Sequence, residues 1–531
     1  MTSGTKYFFA VPNDLEENKP LDIEKLVCGL DTINVKRRRK KGKSKRSEGK
    51  QKMDFESEDA RTFYKDIFKR HVDKCYFLIH HIIDAKWKQE NAVDDFTRLQ
   101  KDLLQKIVSK PTLEMIMSVL EDIGVIEINH SFFHNFSNPF DTTENFCKGY
   151  KLTESYVTQP LVYVSAGKLS KKIESCMSQK TEDLLKSSHH PEHQWQRQWF
   201  ISEKYDVDAV TYSKLVDKFL QDGKTLDGEV FNPEMRNIYK LQMNKLKVGL
   251  PEYNIFPHCD RVGTSFAFAN QYVRPFIKVI EVKPEGTTST RCLMQIDFTA
   301  SHALHLIKVI SENLGQGYPY ITKERRGRGG SLYTATPRLN EIDRAKLASE
   351  MEFLKDKVMN YKKDIYQYLA DRYEEDNGYR VDDDPNKERD IIKDLWNQSF
   401  ICGYYINTRN NPKWIKSVFP EISKYIETVG YKPFATELMK SEATLLNARI
   451  IRRICRTYRN CLLFGLFDAV VFDGDYFEGI QEIMYDESEK YFGFPVKLKT
   501  HDYTEDLKRY NEYLLNDTRS DELIPVLSAT L

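Results

Sequence analysis

Two aspartates stand where an aspartate is costly. Asp297 closes the apolar run Leu293-Met294-Gln295-Ile296, and Asp468 interrupts Leu462-Leu463-Phe464-Gly465-Leu466-Phe467-Asp468-Ala469-Val470-Val471-Phe472. A carboxylate inside an apolar strand is unfavourable unless it is paired or binds a cation. Brought together from two strands, Asp297 and Asp468 would hold a pair of Mg²⁺ ions, which take oxygen ligands and share them with phosphates. Such a pair activates an attacking 3′-hydroxyl and stabilises a leaving pyrophosphate. The rest of phosphoryl transfer is positioning and charge neutralisation. Arg389 and Lys393, four residues apart on one helical face, would supply cations for a triphosphate. Trp396 and Phe400, one or two turns on, offer rings on which an incoming base could stack. The same residues have ordinary readings: a cap or ion pair for Asp297, a hairpin turn for Asp468. For Arg389 and Lys393 the ordinary reading is a solvated helix face with Glu388 and Asp390 as partners.

The elements that must position these groups are legible around them. After Asp297 the apolar residues Ala303, Leu306, Ile307 and Ile310 predict a helix. Leu347, Met351, Leu354, Val358, Tyr361 and Ile365, at alternating four- and three-residue steps, predict one long helix over 340–374. Asp384-Pro385 marks a helix start, with a capping carboxylate and a proline suited to the first turn. Met439, Ala443, Leu446, Ile450 and Ile454 predict another helix, over 436–456, and Leu462 to Phe472 a strand pair or bent strand. Asp473 and Asp475, around Gly474, read as turn residues.

The N-terminal half is mainly helical. Phe63, Ile67 and His71 repeat at four-residue steps, and 96–108 and 112–120 are amphipathic. Two strand-like runs follow, Gly124 to Asn129 and Gly149 to Thr153. Helix, helix, strand, loop, strand is the order of a winged helix, and Leu120 to Asn129 resembles the winged-helix domains of replication initiators. A helical domain with a β-ribbon is the other reading.

A length of 531 residues suggests two to four domains. With 40% hydrophobic and 30% charged residues, the chain reads as a soluble globular protein and not a disordered one. No run approaches a membrane-spanning length. Met1 to Asp14 lacks an export signal, so secretion is not expected. The nine cysteines form no Cys-x-x-Cys, which argues against a disulfide framework or zinc ribbon and for a reducing compartment. His189, His190 and His193 surround Pro191, which argues for a polar loop over a helical metal site. The net charge of +1 conceals a basic arm: Lys36 to Lys52 holds 11 Lys/Arg and one Glu, leaving the remainder acidic. Such an arm cannot bury itself. Its Lys36, Arg37, Arg38, Arg39, Lys40 and Lys41 suit nucleic acid phosphates, or a nuclear-import signal in a eukaryotic host. The alternative is a solubilising linker.

The order of these parts resembles the palm and fingers of single-subunit polymerases related to family A DNA polymerases and phage-type RNA polymerases. Ile296-Asp297-Phe298-Thr299-Ala300-Ser301-His302 is similar to the first palm motif, and Arg389-Asp390-Ile391-Ile392-Lys393 to the fingers motif. Ser399-Phe400-Ile401-Cys402-Gly403 follows the fingers pattern with its glycine one place late and Cys402 where tyrosine is usual. Phe467-Asp468 stands where the family has His-Asp. Asp260-Arg261-Val262-Gly263-Thr264 and Arg274 resemble its template-contacting segment. The resemblance spans about 246–499, with 170 residues between the two aspartates to hold fingers. It is closest to replication proteins of phages and mobile elements.

The resemblance implies an α+β protein: a mainly helical N-terminal region with a winged helix as one reading, then a palm built on a small antiparallel sheet, with helical fingers. Residues 1–53 would be a lead and basic linker, and 54–160 a helical or winged-helix nucleic-acid-binding module. A thumb-like connecting region would span 161–245, and the first part of the palm 246–300. Fingers would take 301–435, the second part of the palm 436–500, and a C-terminal tail 501–531. The implied activity is a template-dependent nucleotidyltransferase, a DNA polymerase without proofreading, replicating a viral or mobile-element genome. No Asp-x-Glu pattern in a strand context suggests an exonuclease in the N-terminal half. Asp297 and Asp468 would ligate two Mg²⁺, with Glu442 as a further metal-associated carboxylate. Arg389, Lys393, Trp396, Phe400 and His302 would contact the nucleotide, and Arg261, Arg274 and the arm the primer–template DNA. His302 occupies the place near the sugar; it is neither the glutamate of DNA polymerases nor the small residue of RNA polymerases, so sugar choice stays open. Nucleic acid and nucleoside triphosphates are the expected partners, without a membrane, in the host cytoplasm or, for a eukaryotic host, the nucleus. The alternative is a DNA-binding replication factor whose palm has lost activity.

Overall fold

The computed structural model describes residues 8–14, 19–23, 26, 32–35, 51–54, 58–87, 96–99, 101–129, 149–176, 205–247, 253–255, 259, 261–282, 288–316, 323–326, 332–335, 342–362, 364–402, 412–459 and 461–515. The basic residues Lys36 to Lys41, the histidines at 189–193, Asp260 and Gly403 lie outside them. The fold is α+β, mostly helical, with antiparallel sheets. Among the described residues no helix is long and apolar enough to cross a membrane.

Contacts divide the chain into two compact units. One comprises Met1–Asp183, Asp208–Leu250 and Glu512–Leu531, the other Leu184–Val207 and Pro251–Asn511. In the first, β1 (Phe8–Asp14) supports α1 (Glu58–Trp87), which buries Cys75, Leu78, Ile79 and Ile82. After β2 (Thr97–Arg98) come α2 (Lys101–Ile107) and α3 (Lys110–Asp122), the latter opened by a proline in its first turn. They precede β3 (Ile126–Asn129) and β4 (Gly149–Leu152), and the strand order is β2-β4-β3. The expected helix–helix–strand–strand sequence is therefore present, with a third strand added. β5 (Leu161–Ser165) closes onto β1. Helices α4 (Ala209–Asp222) and α5 (Pro233–Lys247) complete the unit.

The second unit is built on a six-stranded sheet. Its strands are β6 (Tyr205–Val207), β7 (Ile277–Val282), β8 (Thr288–Phe298), β9 (Leu463–Leu466), β10 (Ala469–Asp473) and β11 (Leu498–Asp502). The order is β9-β10-β8-β7-β6, and β11 pairs with the other side of β8. The apolar run ending in Asp297 is thus the central strand. The run around Asp468 is a hairpin whose turn is Phe467-Asp468, because Leu466 pairs with Ala469.

Helix α6 (Ser301–Gln316) follows β8 as its apolar spacing predicts. The long helix expected over 340–374 is two, α7 (Arg344–Asn360) and α8 (Ile365–Asn377). The Asp364 carboxylate accepts from Gln367 N at 3.0 Å and caps α8, so the chain restarts instead of continuing. The apolar stripe survives the break because Leu347, Met351, Leu354, Val358 and Ile365 are all buried. Helix α9 (Pro385–Asn397) begins at Pro385 and passes into a π-helical stretch, Gln398–Cys402. α10 (Pro420–Val429) and α11 (Tyr431–Ala443) follow. The helix expected over 436–456 is α11, an eight-residue π-helical stretch (Thr444–Ile451) and α12 (Arg452–Thr457). π-Helical turns are uncommon and are often found beside functional sites. Helix α13 (Phe477–Phe492) precedes β11. The segment assigned to a tail carries helix α14 (Tyr503–Leu515), with Tyr503 and Tyr510 buried.

Candidate active site

The two aspartates meet. In the antiparallel pairing of β8 with β10, Asp297 lies opposite Ala469, and Phe298 N donates to Asp468 O at 3.4 Å. Asp297 is therefore the penultimate residue of the central strand, beside the hairpin turn that carries Asp468. Its Oδ1 is buried and has no hydrogen-bond partner. Burial, and then the negative charge of Asp468, push the Asp297 carboxyl up to about 7, against the opposing pull of Lys393 and Lys499. Two carboxylates that repel each other at a shared site strongly favour a proton or a cation between them.

The turn into α6 is strained. Ala300 has φ 57°, the one left-handed non-glycine among the described residues. Its carbonyl accepts from Ala303 N at 3.0 Å and Leu304 N at 3.2 Å, starting the helix directly after the strand. Alanine in this region is disfavoured. The position marks the strand-to-helix junction, three residues after Asp297.

Phe467, where a histidine stands in the resembling family, is held by its ring. Phe268 meets it edge-on at 6.0 Å, and the Arg261 guanidinium lies 5.2 Å from its centroid. Arg261 Nη2 also donates to Glu442 Oε2 at 2.6 Å. Arg261 thus braces the hairpin and is engaged by protein. Glu442 is buried; its Oε1 has no hydrogen-bond partner. Burial lifts Glu442 to about 8, the Asp468 and Asp297 charges add to that, and Arg261 opposes them. Glu442 therefore senses both aspartates, while one of its oxygens is committed to Arg261. Arg274 donates to Ala269 O at 3.3 Å and lies 5.8 Å from the Phe266 ring.

His302 is the second residue of α6, with Nδ1 2.9 Å from Asn397 Oδ1 at the end of α9. Because an amide oxygen only accepts, this bond places the proton on Nδ1 and leaves the Nε2 lone pair free of it. Burial lowers the His302 pKa, and Arg261 and Lys393 lower it further.

The expected nucleotide contacts on α9 separate. Lys393 is exposed, and its charge reaches both Asp297 and His302. Arg389 is drawn away: its Nε donates to Asp364 Oδ2 at 3.0 Å, and its guanidinium stacks 5.5 Å over Tyr366. Trp396 and Phe400 correct the base-stacking expectation. Both are fully buried, 4.6 Å apart edge-to-face, with Trp396 also against Tyr366 and Phe419. They face the same way as Arg389 and Lys393 only in periodicity; apolar surface drives them into the core, so neither offers an open ring face.

Sequence reasoning missed a buried chain behind Glu442. His305 Nδ1 is 2.9 Å from Ser441 Oγ, which is 2.9 Å from Tyr491 Oη. Burial holds His305 neutral, down to about 3. The His-x-x-His spacing of 302 and 305 was visible, but nothing local showed that one would bond Asn397 and the other Ser441.

Among the described residues no group of three or more His, Cys, Asp or Glu is arranged as a metal cluster. What the site offers is two carboxylates, with Glu442 behind them. The unpartnered Asp297 Oδ1, the Asp297–Asp468 repulsion and an all-oxygen donor set fit Mg²⁺, whose remaining ligands are commonly water and phosphate.

No family model and no curated protein matches the chain. Among solved structures it has a weak likeness to the POL domain of Pol1 from M. smegmatis, in complex with DNA primer-template and dNTP. The TM-score is 0.27 and the identity 10%, over 63% of this chain and 73% of that one.

Proposed function

We propose that this protein is a template-dependent nucleotidyltransferase, specifically a DNA polymerase without proofreading that replicates a viral or mobile-element genome. The observation that carries the reading is the adjacency of Asp297, near the end of the central strand, to Asp468 in the neighbouring hairpin turn, with the Asp297 Oδ1 buried and unpartnered. Asp297 and Asp468 would hold two Mg²⁺. When bound, these ions would make the attacking hydroxyl more acidic and neutralise charge on the phosphates. Lys393 would pair with the triphosphate. His302, kept neutral and oriented by Asn397, would present Nε2 as an acceptor toward the substrate. Arg261 and Glu442 would hold the hairpin in register. In the first unit, the winged-helix reading of 54–160 and the basic arm would grip nucleic acid through phosphates.

The test offers the pure protein labelled dNTPs and NTPs, with and without primed template, in Mg²⁺ and in Mn²⁺. The expected result is template-dependent incorporation that Asp297→Asn and Asp468→Asn each lower by roughly a thousandfold. Retained extension by either folded variant would overturn the metal assignment.

A second reading is a replication factor that binds DNA through an inactive palm. Phe467 in place of a polar residue, and the engagement of Arg261 by Glu442 and of Arg389 by Asp364, favour it. Its signature is salt-dependent nucleic acid binding with no incorporation of any nucleotide. Under either reading, deleting Lys36 to Lys52 should flatten the salt dependence of binding.

A further inference from the structure

Lys499 was not among the residues that the sequence singled out. It lies on β11, and its Cα partner across the antiparallel ladder is Asp297. Directly opposed residues on such a pair project from the same face, with Cβ atoms about 5 Å apart. Its positive charge opposes the rise in the Asp297 pKa, so the ammonium and the carboxylate sense each other. Yet among the described residues Lys499 is exposed and makes no hydrogen bond or close ion pair.

The neighbouring cations are in a different condition. Lys497, two residues earlier and just before β11, donates to Tyr361 O at 2.7 Å. Arg261 is engaged by Glu442 and Arg389 by Asp364. Among the described residues, only Lys393 on α9 and Lys499 on β11 reach Asp297 with ammonium groups that make no hydrogen bond or ion pair. They come from two different elements. Between them stands a carboxylate pair with an unpartnered oxygen. The complement of that arrangement is a group that brings its own anionic oxygens, which the ammoniums can bind, while sharing cations with the carboxylates. Phosphate has that chemistry.

We infer that Lys499 is a substrate-contacting residue that binds a phosphate group beside Asp297, from the sheet side of the site opposite the hairpin. The inference rests on the nucleotidyltransferase reading. The phosphate belongs either to the nucleoside triphosphate or to the nucleic acid strand. A lysine on the outermost strand of a sheet has a plainer use, discouraging the addition of another strand. That use predicts no effect on phosphate affinity.

The test compares wild-type protein with Lys499→Gln, after melting curves establish that both are folded. Lys393→Gln serves as the comparison for a cation on the fingers helix. If the phosphate is that of the triphosphate, KM for dNTP rises about tenfold or more while primer–template affinity is unchanged. If it belongs to the strand, primer–template affinity falls and the slope of log affinity against log salt decreases by about one. Lys499→Gln values within twofold of wild type in both arms overturn the inference and leave an edge-strand lysine. Should wild-type protein incorporate no nucleotide, calorimetric binding of Mg²⁺-pyrophosphate and of the primer–template replaces the kinetic arm. A loss of either on Lys499→Gln then supports the phosphate site while the polymerase reading fails. Wild-type binding of neither overturns both.

Discussion

Arg261 and Glu442 stand 181 residues apart in the chain and 2.6 Å apart in the protein. The pair ties the segment before β7 to the end of α11, and the same guanidinium rests on Phe467 beside Asp468. Where Glu442 is ionised, from about pH 8 upward, removing the cation strands a buried carboxylate. Arg261→Ala should therefore destabilise by about 3 kcal/mol. The loss should be smaller at pH 5 than at pH 8, since a protonated Glu442 needs no partner. Denaturant melts at both pH values check this; an equal loss at the two would show that packing on Phe467, and not the charge, is what Arg261 supplies.

Asp297 couples stability to pH and to divalent cations. Its carboxyl rises from 3.8 to about 7 on folding. For an acid raised in this way, stability is fully present below pH 4 and is lost as pH climbs through 7. Asp297→Asn removes the loss. In EDTA it should melt on the order of a few degrees above wild type at pH 8, with the gap closing toward pH 4. Mg²⁺ should reverse the ranking: it should raise the wild-type Tm more at pH 8 than at pH 6, because protons compete for the carboxylates. The variant should gain little. A wild-type Tm indifferent to Mg²⁺ at pH 8 would argue against the site.

Ala300 is held at φ 57° between Asp297 and α6. Glycine adopts that conformation without a Cβ penalty. Ala300→Gly should be stabilising or neutral, by up to about 1 kcal/mol, instead of costing what glycine ordinarily costs. A destabilisation beyond that on thermal melting would mean that the buried methyl group outweighs the strain.

Trp396 should behave as core. Trp396→Ala should cost about 3–5 kcal/mol by opening a cavity. Trp396→Phe should leave KM for nucleotide near wild type, because the ring is fully buried against Tyr366, Phe400 and Phe419. A rise in KM without loss of stability would restore a stacking role.

Local rules were enough to find the strand ending in Asp297, the helix that follows it, the start of α9 at Pro385 and the strand pair around Asp468. Each follows from a short-range cause: apolar spacing, a capping carboxylate, or the cost of an acid in an apolar run. The expected single helix over 340–374 shows the limit of spacing alone. Its stripe is continuous, but Asp364 offers its carboxylate to Gln367 N and restarts the chain. An asparagine or aspartate can cap wherever the backbone lets it, and periodicity does not register that choice.

Sequence alone determined that two costly aspartates exist and that strands deliver them. It also determined which helices carry basic residues nearby. Only the tertiary structure decided which of those cations remain available. Arg389 and Lys393 share a helix face, yet one is bound by Asp364 and the other is not; Lys499 enters the site only through strand register. Charge–charge partners are chosen by three-dimensional distance, and the electrostatic cost of burying them depends on everything packed around them. Neither quantity is carried by residue type or spacing, so the composition of the site had to wait for the fold.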